Sequence, residues 1–411
     1  MTSPDITPIK HLHESATCKL YECKLCKSCS LLEFNDGSRI ATKEVLLKDI
    51  LAKSKVAPCV IEPLFLASHP WGSRTKLKLL VGGTVDSPQI GIVDPQFDIT
   101  DLVDCPLPKG HLPGLLHTLK QEISLGNLTP YNITARRGEL KGIIILSNAS
   151  ASEAIVRFIL RSTEAVPRVR KCVSRIREAH PWVKVVSCNI QPLPAAIPEG
   201  SIEEILTEDE TIIEQYGRIA LRFGPQSFMQ VTHECATALY ERVGKLIEEI
   251  KPHSVLDLFC GVGGFSLFAA PYAQKVLGIE ISRNAVECAR QNALLNGVHH
   301  AEFTETDLTT SLNLVRDSAA EVVIANPPRR GLSEDLCDLL VSKALQERGA
   351  EHLVYSSCNA ESLCRDISRL SSAYDVMLIA PFDMFPLTHH TEVLAHLRRK
   401  RRIADAEKTA E

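Results

Sequence analysis

The chain has 411 residues, 45% of them hydrophobic and 23% charged, and its formal net charge is −4. This composition excludes a disordered or collagen-like chain, and the negative charge excludes attachment to nucleic acid by bulk charge alone. The longest nearly unbroken apolar stretch, residues 258–270, is too short to cross a membrane, and the N-terminus lacks a signal-peptide pattern. We therefore expect a cytoplasmic protein of two or three domains.

The first part of the chain predicts an α+β domain over residues 18–222, preceded by a disordered tail at residues 1–17. Short apolar or alternating runs predict the strands, and each predicted helix has a proline at or near its first turn. The predicted elements are strands at 76–81 and 142–146 and helices at 112–126 and 167–180.

Strands alternate with helices in residues 223–402, which predict a second domain, followed by a tail at 403–411. One helix is predicted from its N-cap Thr232 to Ile250, and Ser282 caps another that ends at residues 296–297. The predicted strands are 255–258, 276–279, 321–325, 353–355 and 376–379. This alternation is typical of an α/β fold with a doubly wound, Rossmann-like parallel sheet.

Residues suited to a nucleoside-like ligand follow these strands, where open parallel sheets bind their ligands. Gly261, Gly263 and Gly264 let a ligand approach the backbone. Glu280 lies 19 residues after Gly261, a spacing at which a carboxylate binds ribose hydroxyls. The later strand ends carry Asp307, Asn326-Pro-Pro-Arg329 and Ser356-Ser-Cys-Asn359. Because the glycine spacing of an NAD site is absent, the pattern favours S-adenosylmethionine; a structural turn beside a surface glutamate is the alternative.

Cys358 follows the strand predicted at 353–355 in a polar setting, where a thiolate has a specific use beside a methyl donor. C5 of uracil is a poor nucleophile until a thiolate adds to C6, and a base must later remove the C5 proton. The segment after the strand predicted at 376–379 offers four candidate bases, Asp383, His389, His390 and Glu392. Chemistry alone does not choose among them, and packing is the alternative role for Cys358.

Together these segments resemble the RNA uracil-C5 methyltransferase family. The motifs are Asp257-Leu-Phe-Cys-Gly-Val-Gly-Gly264, Asn326-Pro-Pro-Arg-Arg-Gly331, Tyr355-Ser-Ser-Cys-Asn359 and Phe382-Asp-Met-Phe-Pro386 with Glu392. The resemblance extends from Cys18 to Arg399 and is closest in the branch that methylates a loop uridine of 23S rRNA. It implies a class I S-adenosylmethionine methyltransferase fold, with Cys358 as the nucleophile and Glu392 as the proton-abstracting base.

The resemblance also implies which residues bind S-adenosylmethionine. Gln230, Phe259, Glu280 and Asn326 match cofactor contacts of the family. Gly261 joins them as the glycine that the ligand approaches. Many relatives have an aspartate where this chain has Asn326, whereas the 23S rRNA branch has asparagine.

RNA binding is expected to depend on the α+β domain. Many relatives carry an additional OB-like (TRAM) domain at the N-terminus, and this chain has only 17 residues before Cys18. Phe228 matches an aromatic residue that stacks on the flipped base in relatives, and a core phenylalanine is the alternative. We expect Arg136-Arg137 and the segment Arg74–Lys78 to contact phosphates.

A cysteine cluster lies near the N-terminus, at Cys18, Cys23, Cys26 and Cys29. Local spacing is compatible with either a zinc site or an iron–sulfur cluster. The resemblance implies a [4Fe–4S] cluster held by Cys18, Cys26, Cys29 and the distant Cys105, so that Cys23 is surplus. Because methyl transfer needs no electron, a structural or RNA-positioning role fits best.

The expected reaction is S-adenosylmethionine-dependent methylation of C5 of a loop uridine in 23S rRNA. The first alternative is the same chemistry on the T-loop uridine of tRNA. The second is an iron–sulfur RNA-binding protein that has lost activity. Methylation of a small molecule or protein is disfavoured, because it requires no cysteine adduct. RNA is the expected partner, with no membrane and no obligate protein partner.

Overall fold

The computed structural model describes residues 17–54, 56–57, 59–94, 98–194 and 199–400. The predicted tails at 1–17 and 403–411 lie outside the described residues, apart from residue 17. Within the described residues, no helix is both long and apolar enough to cross a membrane.

The helices and strands follow in chain order. The helices are α1 (Lys19–Glu22), α2 (Asp36–Lys53), α3 (Leu112–Leu125), α4 (Val166–Ala179), α5 (His233–Ile250), α6 (Gly264–Ala269), α7 (Arg283–Leu295), α8 (Asn313–Asp317), α9 (Glu334–Val341), α10 (Lys343–Glu347) and α11 (Ala360–Leu370). The strands are β1 (Val60–Ile61), β2 (Lys76–Gly83), β3 (Pro88–Val93), β4 (Ile99–Asp101), β5 (Leu140–Ser147), β6 (Ala154–Leu160), β7 (Val183–Ile190), β8 (Ile202–Ile205), β9 (Ile212–Tyr216), β10 (Ile219–Phe223), β11 (Ser254–Leu258), β12 (Lys275–Glu280), β13 (Ala301–Glu305), β14 (Val322–Ala325), β15 (His352–Ser357), β16 (Tyr374–Phe382) and β17 (Glu392–Arg399).

The first sheet, in the order β4-β3-β2-β5-β6-β7-β8, is largely antiparallel. Its only parallel pair among the described strands is β6 with β7, which α4 connects. The apolar residues of α3 and α4 pack against one face of this sheet, for example Leu116 and Val169 against Ile143 and Val156. The strands predicted at 76–81 and 142–146 and both predicted helices are present, as β2, β5, α3 and α4.

The second sheet has the order β1-β16-β17-β15-β14-β11-β12-β13. Strands β11, β12, β13, β14 and β15 run parallel, as expected for an α/β fold. The expectation of a parallel sheet holds for these strands only, because β17 lies antiparallel between β15 and β16 and makes the sheet mixed. Residues 383–391 join β16 to β17, and so short a connection permits only an antiparallel pair.

The two sheets share apolar packing. Ile144, Ile155 and Val185 on the other face of the first sheet lie in one cluster with Leu239 and Val243 of α5. Conversely, α2 and β1 from the predicted first domain belong to the second sheet, since β1 pairs with β16 and α2 packs beside α11. The division of the chain at residue 222 stays a prediction.

Thr232 precedes α5 as expected, but its side chain does not cap the helix. Its hydroxyl instead donates to the carbonyl oxygen of Met384 at 2.9 Å. Ser282 does cap α7, accepting a hydrogen bond from the Ala285 amide. Thr232 therefore ties the start of α5 to the loop between β16 and β17.

Candidate active site

A strained turn follows β11 at the carboxyl edge of the second sheet. Phe259, Gly261 and Gly263 have φ angles of +60°, +54° and +87°, and a non-glycine residue in this region often marks a functional site. Asp257, which is fully buried, anchors the turn by accepting hydrogen bonds from the amide and hydroxyl of Ser266 at 3.0 and 2.6 Å. Burial raises the pKa of Asp257 to about 7.

Glu280 at the end of β12 closes the other side of this turn. Its carboxylate accepts hydrogen bonds from the Gly261 amide at 3.1 Å and the Ser282 amide at 2.9 Å. A Cβ atom added to Gly261 would meet nothing within 4 Å, so open space lies beside this glycine. This arrangement fits a ribose-bearing ligand, since each carboxylate oxygen accepts more than one hydrogen bond.

A cavity of about 420 Å³ extends from the turn, lined by Phe259, Leu308, Thr309 and Pro328 among others. Its mixture of apolar and polar walls is typical of a small-molecule site. Asn326, directly after β14, is half-buried, and its amide lies 3.4 Å from the Leu258 carbonyl oxygen. The turn, Glu280 and Asn326 are thus brought to one sheet edge, as the sequence predicts.

Cys358 follows β15 at the same edge and is half-buried. Burial raises the pKa of its thiol, and the charge of Glu392 raises it further. The nearby Arg329 guanidinium lowers the pKa of the thiol. Cys358, Glu392 and Arg329 therefore form one electrostatic unit.

Glu392 is the first residue of β17 and is only 2% exposed. The Ser356 hydroxyl donates to its Oε1 atom at 2.5 Å. None of the ion pairs among the described residues involves Glu392, so burial raises its pKa to about 7. A carboxyl group with such a pKa is suited to accept a proton near neutral pH.

The other three candidate bases are placed differently. Asp383 is buried but forms an ion pair with Lys43. His389 is exposed, with its Nδ1 atom 2.8 Å from the Ser30 hydroxyl, and His390 is exposed beside Arg329. Burial and the Arg329 charge lower the pKa of His390. Burial without a cation therefore distinguishes Glu392 from the other three, although its catalytic role stays a prediction.

Phe228 and Gln230 lie in the segment between β10 and α5. Phe228 is 58% exposed, so the alternative that it is a core phenylalanine is wrong. The Lys76 Nζ atom lies 4.9 Å from the centre of the Phe228 ring, which is a cation–π arrangement when the amine is protonated. Burial lowers the pKa of Lys76 to about 7. Gln230 is buried, and the following residue, Val231, accepts a hydrogen bond from the Thr75 amide at 3.1 Å. The segment is therefore fixed against β2, with the Phe228 ring in solvent.

The cysteines of the predicted cluster occupy one region. Cys18, Cys26, Cys29 and Cys105 line a cavity of about 120 Å³, whereas Cys23 is exposed and does not line it. Burial raises the pKa of Cys29 to about 12, with Cys105, Cys26 and Cys18 close enough to add to the rise. Within the described residues, no group of three or more histidine, cysteine, aspartate or glutamate side chains is arranged around a single metal ion.

The two basic segments differ in surroundings. Arg136 and Arg137 are exposed in a tight turn, where Arg136 has a φ angle of +51°. Arg74 and Lys76 line the cysteine cavity, and Lys78 forms an ion pair with Glu199 at 2.8 Å. RNA contacts by either segment stay a prediction.

Arg329 and Lys43 are residues to which the sequence reasoning assigned no role. Arg329 stands in the motif Asn326-Pro-Pro-Arg329, so a strand-end arginine near the cysteine was a usable signal. Lys43 is separated from Asp383 by 340 positions, and nothing local to either residue indicates their contact.

Comparison with known proteins identifies relatives of the chain. The family described as "tRNA (Uracil-5-)-methyltransferase" matches residues 203–400. A "23S rRNA (uracil(747)-C(5))-methyltransferase RlmC" of Photorhabdus laumondii is 37% identical, over 92% of this chain and 98% of that protein. The protein of the same name in Pectobacterium atrosepticum is 36% identical, over 93% of this chain and 99% of that protein.

Among solved structures, a similar one is the Pyrococcus abyssi tRNA (uracil-54, C5)-methyltransferase in complex with S-adenosyl-L-homocysteine. It has a TM-score of 0.71 and 25% sequence identity, and the match covers 90% of this chain and 85% of that one. The fold is therefore that of an α/β S-adenosylmethionine-dependent methyltransferase with a mixed sheet. Given relatives of this identity and coverage, the chain belongs to the RNA uracil-C5 methyltransferase family.

Proposed function

We propose that this protein transfers a methyl group from S-adenosylmethionine to C5 of a loop uridine in 23S rRNA. The observation that carries the proposal is the unit of Cys358, Arg329 and Glu392 at one sheet edge, with a thiol and a buried, cation-free carboxyl close enough to interact. The RlmC proteins, which carry this activity in their names, align with nearly the whole chain.

Cys358 acts as the nucleophile in the proposed mechanism. Its thiolate attacks C6 of the uracil, a bond forms between Sγ and C6, and the electron pair of the C5–C6 double bond moves toward O4 as an enolate. Arg329 stabilises the thiolate, since its guanidinium lowers the pKa that burial and Glu392 raise.

S-adenosylmethionine, when bound, supplies an electrophilic methyl group to C5. The residues that fit it are Gly261, with open space beside it, Glu280 for the ribose, and Phe259 in the adjoining cavity. Asn326, which follows β14 at the same sheet edge, and the buried Gln230 complete the proposed set. Asp257 accepts two hydrogen bonds from Ser266, so the conformation of the turn is fixed before S-adenosylmethionine binds.

Glu392 completes the proposed reaction as the base. Its carboxylate takes the C5 proton, the electron pair of that bond re-forms the C5–C6 double bond, and the Sγ–C6 bond breaks to release the thiolate. A pKa of about 7 leaves a substantial fraction of Glu392 deprotonated at neutral pH. The Ser356 hydroxyl favours this form by donating a hydrogen bond to it.

The RNA is held, in this proposal, by the part of the chain that contains the first sheet, within residues 18–222. Methylation of C5 requires the target base to leave its stack, at a cost of roughly a few kcal/mol. The exposed ring of Phe228 supports a role in stacking on the extruded base. The exposed Arg136 and Arg137 supply positive charge for the flanking phosphates in this proposal. The segment Arg74–Lys78 is proposed to contact phosphates as well, although Lys78 is paired with Glu199 when no RNA is bound.

We also propose that Cys18, Cys26, Cys29 and Cys105 hold a [4Fe–4S] cluster. Support comes from the shared cavity and from Leu32, Leu107 and Leu387, which pack around these cysteines. Each cysteine of such a cluster binds a different iron, so the sulfurs surround a volume and do not converge on one ion. A zinc ion would require that convergence at about 2.3 Å from each sulfur.

Iron and sulfide content of anaerobically purified protein tests the cluster. Cys105→Ser is expected to lose iron and visible absorption, whereas Cys23→Ser, at an exposed position outside the cavity, is expected to retain both. Zinc in place of iron in the unaltered protein, or equal iron loss in both variants, would overturn the assignment.

The T-loop uridine of tRNA is the second candidate substrate. It is favoured by the similarity to the Pyrococcus abyssi enzyme, whose name specifies uracil-54 of tRNA. The catalytic residues do not distinguish the two RNAs, because both reactions act on C5 of uracil.

The test is to incubate the protein and labelled S-adenosylmethionine with unmodified 23S rRNA and, separately, with unmodified tRNA, and then to map 5-methyluridine. Label in a 23S rRNA loop supports the proposal. Label in tRNA alone retains the mechanism and replaces the substrate. Absence of label in both, with the protein folded, would make an inactive RNA-binding protein the better account.

A further inference from the structure

A buried lysine from α2 contacts the loop that leads into Glu392. Lys43 is 2% exposed, and its Nζ atom forms an ion pair with the Asp383 carboxylate. The same Nζ donates to the carbonyl oxygens of Phe385 at 2.9 Å and His390 at 3.1 Å. An ammonium group has three donors, so the three acceptors satisfy it completely.

These acceptors are distributed along residues 383–391, the loop between β16 and β17. Phe382 and Glu392, which flank the loop, lie opposite each other in the strand register. Asp383 begins the loop, and His390 is two residues before Glu392. One ammonium group therefore holds both ends of the loop in place.

Neutral contacts from other elements hold the loop as well. The Thr232 hydroxyl donates to the Met384 carbonyl oxygen at 2.9 Å, and the Cys235 thiol donates to that of Asp383 at 3.3 Å. The Leu31 amide donates to the Leu387 carbonyl oxygen at 3.0 Å. Lys43 differs from these because its contact with Asp383 joins two buried, opposite charges.

We propose that Lys43 is a positioning residue for proton abstraction: it holds the loop so that the Glu392 carboxylate stands at the C5 proton. This inference rests on the proposed function, with Glu392 as the base. A misplacement of about 1 Å costs on the order of 100-fold in rate. The loss falls on the last chemical step, so cofactor binding and attack by Cys358 continue and the covalent RNA adduct accumulates.

The variants that test this are Lys43→Met, the double variant Lys43→Met/Asp383→Asn, and the control Lys48→Met. The double variant removes both charges of the pair, so that no unpaired carboxylate is left buried and the chain keeps its fold even where the single variant does not. Lys48 is an exposed lysine of the same helix. Each variant is assayed for thermal midpoint, S-adenosylmethionine affinity, turnover on the RNA that the unaltered protein methylates, and the fraction of protein in a covalent RNA adduct.

We expect the double variant to bind S-adenosylmethionine like the unaltered protein, to turn over about 10- to 100-fold more slowly, and to hold a larger fraction of covalent adduct. The control is expected to match the unaltered protein in all four measurements. Unchanged turnover of the double variant, or slower turnover without more adduct, would overturn the positioning role. Failure of the unaltered protein to methylate either RNA would instead overturn the proposed function, and the inference with it.

Discussion

Buried charged side chains lie in both sheets, but Arg157 of the first sheet is paired, whereas two carboxyl groups at the edge of the second sheet have no cation partner among the described residues. In the first sheet, Arg157 is 1% exposed, and its guanidinium donates to Glu199 and Glu203 at 2.6 Å each. At the carboxyl edge of the second sheet, Asp257 and Glu392 are equally buried, and neither takes part in an ion pair within the described chain. Burial raises the pKa of each to about 7.

The difference separates a structural role from a chemical one. A buried ion pair that is fully hydrogen-bonded holds its strands together, and removal of one partner leaves an unpaired charge. A buried carboxyl group without a cation lowers the free energy of unfolding when it ionises, and such groups cluster where chemistry needs a tuned pKa. Substitution in the first sheet is therefore expected to change stability, and substitution at the second sheet's edge to change the reaction.

The largest expected effect is that of Cys358→Ala. Without the Sγ nucleophile C6 is not attacked, so turnover falls by a factor on the order of 10⁴ or more while S-adenosylmethionine binding is retained. Single-turnover kinetics and cofactor titration measure the two quantities. Cys59→Ala, at a half-buried cysteine away from the edge, is the control and keeps its activity. Full turnover by Cys358→Ala would end the covalent account.

Arg157→Met tests the structural role of the buried ion pairs in the first sheet. It leaves Glu203 buried without its cation, so the free energy of unfolding falls by about 3–5 kcal/mol, while turnover per folded molecule is retained. Arg170→Met is the matched control. Arg170 is exposed and pairs with Glu204, which is next to Glu203 in β8, and this exposed ion pair contributes at most about 1 kcal/mol to the free energy of unfolding. Denaturant unfolding compares the two, and equal losses would contradict the structural role of Arg157.

The buried Glu392 carboxyl, which has no cation partner in the described part of the chain, predicts that the free energy of unfolding depends on pH. Because burial raises the pKa of Glu392 to about 7, the folded protein binds a proton that the unfolded chain has released between pH 4.5 and 7. The contribution of this protonated carboxyl to the free energy of unfolding is complete below pH 4.5 and is lost as pH rises through 7. Glu392→Gln removes this loss, so its advantage in unfolding free energy grows from pH 5 to pH 8 and reaches about 3 kcal/mol. An advantage that stays constant with pH would contradict the burial argument.

Ser356→Ala is expected to have the smallest effect. The Ser356 hydroxyl stabilises ionised Glu392, so its loss raises the pKa of that carboxyl further. The acid limb of the rate profile then moves to higher pH by about one unit, while the rate at pH 9 changes little. A profile of turnover against pH measures this, and an acid limb that stays at the same pH would show that Ser356 does not act on the base.

Much of the fold was predictable because periodicity and caps are local. The glycine turn after β11, the cap at Ser282 and the strands that follow are all visible in short windows of sequence. The antiparallel insertion of β17 was not, because strand order depends on contacts between distant elements. The placement of α2 and β1 beside the second sheet has the same cause, since β1 has only two residues to indicate it.

The residues of the candidate site also fall into those that local sequence predicts and those that only long-range contacts identify. Motif spacing identified Cys358 and four candidate bases. Glu392 and Asp383 are both buried, and they differ because Asp383 pairs with the distant Lys43, a contact that only the folded chain makes. The contact of Lys43 with Asp383 spans 340 positions and leaves no local trace. Phe228 shows the reverse case, since its sequence context permitted either a core or a surface position and the fold places it in solvent.

The most direct test of the account is the identity of the species that Glu392→Gln traps. The variant is incubated with S-adenosylmethionine and unmodified RNA, digested with nuclease and protease, and analysed by mass spectrometry. The account predicts a peptide containing Cys358 that carries a methylated uridine nucleotide, because the adduct forms and takes up the methyl group but cannot lose its C5 proton. An adduct on another cysteine, or rapid turnover with no trapped species, would contradict it.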